Sequence, residues 1–98
     1  MISRQLTDKT AEAAELLTVL GNEKRLLILS HLVDREMSVG AIAEEVALSQ
    51  SALSQHLAKL RSIGLVETRR ERQMIYYSCN SDAVRLIFAT LDTIFKAA

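Results

Sequence analysis

Residues 49–62 read Ser-Gln-Ser-Ala-Leu-Ser-Gln-His-Leu-Ala-Lys-Leu-Arg-Ser, and this stretch decides the fold. Ser49 is a favourable N-cap, and Gly64 stands where helices commonly end, so the spacing predicts a helix over 49–63. At about 100° per residue, one side of this helix is entirely apolar and must face the core. The residues on that side are Leu53, Leu57 and Leu60.

The side turned away from the leucines carries short hydroxyl, amide and methyl groups. Glutamine can pair with adenine, serine can bond base edges or phosphate, and alanine can meet a thymine methyl group. The free N–H groups at the start of the helix also favour phosphate. Such a surface suits a major groove, although an ordinary solvated face has a similar composition. The candidate DNA-contacting residues here are Ser49, Gln50, Ser51, Ser54, Gln55, His56, Lys59 and Arg61.

Two helices are predicted near the start of the chain. Apolar residues recur at helical spacing before Gly21, which predicts a first helix from about Asp8 to Leu20. Asn22 can cap a second helix that is apolar nearly all round, as expected of a segment enclosed in the core. Lys24 and Arg25 are expected at the exposed start of this second helix.

A short third helix is predicted directly before residues 49–62. Ser38 can cap it, and apolar residues at spacings of three and four continue to Val46. A brief turn at Ala47 and Leu48 then leads to the fourth helix. Two helices joined by so short a turn form a helix-turn-helix pattern.

Beyond Gly64 the pattern changes to that of a β-hairpin. Residues 65–69 and 74–78 are rich in β-formers and flank a charged tip, residues 70–73. The tip has no glycine, which favours a longer or looser loop over a two-residue type I′ turn. A basic hairpin beside a helix-turn-helix can reach an adjacent minor groove or the DNA backbone. Its candidate residues are Arg69, Arg70, Arg72 and Gln73.

Charge and size narrow the possible classes of protein. The net charge is zero, but residues 49–73 hold five basic side chains against two acidic ones, which is a candidate phosphate footprint. The absence of a long apolar run and of a signal pattern predicts a cytoplasmic protein with no membrane association. We expect a mostly α fold with a small β-hairpin, in the order α-α-α-α-β-β-α, forming one domain over residues 1–98.

From about Leu16 to Phe95 the chain resembles the ArsR family of winged helix-turn-helix repressors, and within it the branch of NolR and HlyU. The resemblance lies in residues 20–29, 48–61, 64–66 and 75–77. It implies a homodimer that binds an inverted repeat, with its first and last helices at the interface. The apolar stripe of the last helix, capped by Asn80 or Ser81, fits that expectation. The candidate interface residues are Leu16, Leu17, Leu20, Val84, Ile87, Phe88, Leu91, Ile94 and Phe95.

The chain departs from the metal-sensing members of that family. Their thiolate motif needs cysteines near Ser38 and Gly40, and their other site needs histidine in the last helix, where this sequence has none. Cys79 is the only cysteine, so the pair used by persulfide-sensing relatives is missing too. We expect no metal and no other cofactor.

The leading hypothesis is a dimeric regulator of transcription that binds double-stranded DNA. Repression by promoter occlusion is the default, because 98 residues leave no room for an effector domain. An alternative is a protein-interaction module on a winged-helix scaffold, which would be marked by loss of the basic tip or by an acidic recognition face. An enzyme is not expected, since the sequence has no nucleophile–base pair, carboxylate pair or phosphate-binding glycine loop.

Overall fold

The structure, a computed structural model, describes residues 3–96. Within that range it contains six helices and three strands. In chain order these are α1 (Arg4–Asp8), α2 (Thr10–Leu20), α3 (Glu23–Leu32), β1 (Met37–Ser38), α4 (Val39–Val46), α5 (Gln50–Ser62), β2 (Glu67–Glu71), β3 (Met74–Ser78) and α6 (Asp82–Phe95). The fold is mostly helical with a small sheet, as predicted.

Four helix starts are set by the predicted side-chain caps. The Asn22 Oδ1 and the hydroxyls of Ser38, Ser49 and Ser81 each accept the backbone N–H three residues further on, at 3.1–3.3 Å. Each bond satisfies one of the N–H groups that a helix leaves unpaired at its start. Of the two candidates for the last cap, Ser81 is the one used.

The predicted first helix is wrong at its start. Lys9 has φ −113° and leaves helical geometry, so α2 begins at Thr10 and not at Asp8. The five residues before Lys9 form a separate helix, α1, which the sequence did not predict. The Ser3 hydroxyl caps this helix. A helix this short, with no buried residue, carries no periodic pattern that could reveal it.

The hairpin is part of a three-stranded antiparallel sheet with the order β1-β3-β2. The two-residue strand β1, which pairs Met37 with Tyr77, was missed because two residues show no alternation. Glu71 pairs with Met74, so only Arg72 and Gln73 form the turn, with Arg72 at φ 57°. The predicted longer loop is therefore wrong, but the turn is, as expected, not of type I′ either, because only one of its two residues has a positive φ.

The core is formed chiefly by α3, α4 and α5. The three leucines of α5 are at most 1% exposed, and they lie in one buried cluster with residues such as Ile28 and Ile42. Cys79 and Val84 extend this cluster toward α6. Because α5 buries its leucines here, the opposite side of the helix must face outward.

The helices α4 and α5 both end in left-handed backbone. Ala47 after α4 has φ 55°, and Gly64 after α5 has φ 78°. The next N–H bonds back to the helix in each case, from Leu48 to the Ala43 carbonyl and from Leu65 to the Leu60 carbonyl. Left-handed geometry is accessible to glycine but strains alanine.

Reciprocal substitutions at these two ends should change stability in opposite directions. Ala47→Gly should raise the free energy of unfolding by up to about 1 kcal/mol, because relief of strain exceeds the entropy cost of glycine. Gly64→Ala should lower it by about 1 kcal/mol through backbone strain alone, since no atom lies within 4 Å of the added Cβ. Urea unfolding measures both changes, and a less stable Ala47→Gly would contradict this interpretation.

Candidate nucleic-acid interface

The outward side of α5 forms a continuous polar surface, here called the reading face. It consists of Gln50, Ser51, Ser54, Gln55, Ala58 and Lys59, and every one of these residues is exposed. The first turn of α5 holds no acidic residue, and the last turn holds Lys59 and Arg61. Amide, hydroxyl, methyl and cationic groups on one exposed helix face match the groups that DNA presents in its major groove.

Ser49 and His56 lie at the margins of this surface. The Ser49 oxygen is engaged as the N-cap, although its hydroxyl proton stays free to donate. His56 is half-buried, and its Nδ1 accepts a hydrogen bond of 3.2 Å from Arg25 Nε. Burial and the positive charge of Arg25 both lower the pKa of His56, so the imidazole is neutral at physiological pH.

The predicted exposure of Lys24 and Arg25 is wrong, because both side chains are half-buried and bonded. Lys24 Nζ donates to the Val46 carbonyl at 2.8 Å, at the end of α4. Arg25 Nη1 donates to the Val19 carbonyl at 3.2 Å, near the end of α2. The start of α3 therefore connects to three other helices, a role that no local sequence signal indicates.

The hairpin formed by β2, β3 and their turn is here called the wing, residues 67–78. Arg69 lies midway along β2, paired with Tyr76, and not at the tip, and its guanidinium bonds Glu36 at 2.8 Å and Glu71 at 2.9 Å. The same group stacks 4.9 Å from the centroid of the Tyr76 ring. The hydrogen bond to Arg69 lowers the pKa of Glu36, and both carboxylates raise the pKa of Arg69. Arg69 thus fastens the wing to the loop before β1.

The wing tip carries the remaining candidates. Arg70, Arg72 and Gln73 are exposed, and Arg70 Nε donates to the Arg72 carbonyl at 3.0 Å. A cleft of about 400 Å³ opens between the starts of α4 and α5 and the wing, and both Gln50 and Gln73 line it. The structure thus brings the start of the reading face and the wing tip to one shared cleft.

The candidate interface residues fall into three groups. Leu20 and Val84 are at most 5% exposed and belong to the core of the chain itself, which corrects their assignment to a dimer interface. Leu16, Ile87, Phe88 and Leu91 are half-buried. Leu17, Ile94 and Phe95 are 63–80% exposed.

Sequence patterning missed Leu86, which is 70% exposed. This residue lies outside the predicted apolar stripe, two helical turns before Ile94 and about 80° around the helix from it. It widens the exposed apolar surface of α6 beyond the predicted stripe. Helical periodicity gave no signal for Leu86, because this residue does not share the face of the predicted stripe.

Cys79 is buried, and burial raises the pKa of its thiol, which favours the protonated form. Among residues 3–96, no three histidine, cysteine or carboxylate side chains are grouped as metal ligands would be. No helix in the same range is long and apolar enough to cross a membrane.

A helix-turn-helix followed by a basic wing defines a winged helix-turn-helix regulator of DNA. The family model of bacterial regulatory proteins of the ArsR type matches residues 22–68. Nodulation protein NolR of Rhizobium meliloti is 59% identical over 85% of this chain and 68% of its own length. Transcriptional activator HlyU of Vibrio cholerae is 44% identical over 97% of this chain and 88% of its own length. The chain belongs to the ArsR family.

Solved structures agree with this placement. NolR from Sinorhizobium fredii has a TM-score of 0.89 at 52% identity, covering 100% of this chain and 98% of that one. The transcriptional repressor BigR from Xylella fastidiosa has a TM-score of 0.89 at 35% identity, with 100% of both chains covered. The homodimeric winged helix-turn-helix DNA-binding domain of Mb0332 from Mycobacterium bovis has a TM-score of 0.78 at 32% identity, covering 96% of this chain and 87% of that one. The winged helix-turn-helix prediction is confirmed, and the chain is a DNA-binding regulator of transcription.

Proposed function

We propose that the protein is a dimeric repressor of an inverted-repeat operator. Each protomer inserts α5 into the major groove, and its wing tip reaches the adjacent minor groove or the backbone. One observation carries the proposal: the exposed, acid-free reading face begins in the same cleft that the wing tip borders. A DNA strand passing that cleft meets both elements.

Recognition divides between base readers and phosphate binders. Gln50, Gln55, Ser51 and Ser54 carry the neutral donors and acceptors suited to base edges, so they set sequence preference. The exposed cations of α5 and the wing tip, which form no ion pair among the described residues, supply salt-dependent affinity: Lys59, Arg61, Arg70 and Arg72. Arg69 is assigned to wing positioning because Glu36 and Glu71 neutralise it.

The exposed apolar surface supports dimerisation. Four large apolar side chains are 63–80% exposed, far more than the core-facing leucines: Leu17 on α2 and Leu86, Ile94 and Phe95 on α6. Large apolar groups concentrated on two helices mark an interaction surface. A two-fold dimer through α2 and α6 places two copies of α5 on successive turns of DNA.

Repression follows from position on the DNA. A dimer bound over a promoter excludes RNA polymerase, and this requires no further activity of the protein. Electrophoretic mobility shift with DNA from upstream of the protein's own gene tests the binding, at physiological salt. Preference for an inverted repeat over random DNA, with reduced transcription in vitro, is expected. Equal binding to both DNAs would contradict the proposal.

Alanine substitution should separate base readers from phosphate binders. Gln50→Ala and Gln55→Ala should each cost about 1–3 kcal/mol on the operator and relax base preference. Arg70→Ala should weaken operator and random DNA alike and reduce the salt slope by about one. Fluorescence anisotropy at several salt concentrations measures both effects. Unchanged base preference in both glutamine variants would contradict the assigned reading face.

Charge placed in the apolar surface should separate the protomers. Leu17→Glu and Ile94→Glu would each bury an unpaired carboxylate in the interface, so both should sediment as monomers. Glu44→Lys is the control, because it also changes the charge of an exposed residue but lies on α4, outside the two proposed interface helices, and should leave dimers intact. Analytical ultracentrifugation measures whether each variant is a monomer or a dimer. Intact dimers in both apolar-to-Glu variants would rule out this interface.

A further inference from the structure

One side chain, that of Arg25, connects the reading helix to two other helices. Its Nε donates to His56 Nδ1 on α5 at 3.2 Å, and its Nη1 donates to the Val19 carbonyl of α2 at 3.2 Å. The backbone N–H of Arg25 is itself held by the Asn22 cap at 3.1 Å. Because these bonds converge on the first turn of α3, the guanidinium has little freedom to move.

The chemistry of this contact fixes the tautomer of His56. A guanidinium has only donors, so the imidazole nitrogen that it bonds must carry a lone pair and no proton. In the neutral ring the proton then resides on the other nitrogen, Nε2. The lowered pKa of His56 agrees with a neutral ring. The result is an imidazole with a single N–H donor whose orientation is set by Arg25.

The second ring nitrogen of His56, Nε2, is not fully buried. In the described part of the chain, Nε2 has no hydrogen-bond partner. Because no fully buried side-chain nitrogen or oxygen in that range lacks a partner, Nε2 is at least partly accessible to solvent. Helical spacing places His56 one turn before Lys59 on the same flank of α5, beside the reading face and not at its centre. Groups on the flank of a recognition helix reach the DNA backbone more readily than base edges.

We propose that Arg25 is a positioning residue for DNA binding, which holds the His56 Nε2–H donor toward a phosphate oxygen beside the major groove. This inference rests on the proposed function, because DNA supplies the acceptor. It assigns His56 a contribution to affinity without base preference. It also assigns Arg25 an effect on DNA binding without contact, since its Nε and Nη1 are already engaged within the protein.

Nitrogen-15 NMR of the His56 ring tests the positioning step without DNA. The wild-type protein should show a protonated Nε2 and an unprotonated Nδ1, and Arg25→Met should show a mixture of both tautomers. Lys24→Met is the matched control, since it removes the neighbouring link to Val46 and should leave the tautomer unchanged. A wild-type ring protonated on Nδ1, or a tautomer unaffected by Arg25→Met, would overturn the inference.

Binding measurements test the DNA contact, using an inverted-repeat duplex that wild-type protein prefers and a random duplex. Asparagine at position 56 can still accept from Arg25 through its Oδ1, but its amide nitrogen lies closer to the backbone than His56 Nε2, whereas glutamine carries an amide N–H out to about the position of Nε2. His56→Asn should therefore bind both duplexes about tenfold more weakly, with the salt slope unchanged, and His56→Gln should recover part of the loss. Full wild-type affinity in His56→Asn would overturn the inference.

A double-substitution cycle separates Arg25 from a direct phosphate contact. Arg25→Met should weaken binding about as much as His56→Asn, and the pair together should lose no more than either alone. Additive losses, or a salt slope reduced by about one in Arg25→Met, would show that Arg25 binds phosphate itself. Should Arg25→Met not fold, Arg25→Lys repeats the cycle. If the wild-type protein showed no preference for the inverted repeat, the proposed function would be refuted. The NMR experiment would still test the contact between Arg25 and His56, because it is done without DNA.

Discussion

Burial of Leu53, Leu57 and Leu60 is the constraint on which the rest of the structure depends. These side chains are at most 1% exposed, and one helix cannot bury them without turning its opposite side outward. The apolar contact thereby fixes the rotation of α5 about its own axis. That rotation determines which groups the protein presents to a partner. The same packing contact therefore forms the core and orients the reading face.

The distribution of charged side chains determines which parts of the outward surface can bind DNA. A chain with no net charge can still bind a polyanion when its cations stand where the surface is exposed and its carboxylates are elsewhere or paired. Arg69 illustrates the distinction, since two carboxylates engage it and it stabilises the wing. Arg70 and Arg72 form no ion pair among residues 3–96. Arginine therefore stabilises the wing in the middle of β2 and is available for recognition at the wing tip.

Local sequence was sufficient wherever a feature depends on residues a few positions apart. The four caps, the buried leucines, the glycine after α5 and the strand pair of the wing were all predicted, because capping and periodicity act over one or two turns. Contacts across the fold were not predicted. The bonds from Lys24 to Val46 and from Arg25 to His56 span 22 and 31 residues, and that between Glu36 and Arg69 spans 33. Nothing in the neighbouring sequence of either partner indicates such a bond.

We propose that the outward side of α5 lies against base edges. The most direct measurement is intermolecular nuclear Overhauser contacts in a complex with operator DNA. We predict contacts from the side-chain amides of Gln50 and Gln55 and from the Ala58 methyl group to major-groove protons of the bases. A complex in which these groups contact only solvent, or only a second protein chain, would contradict the claim.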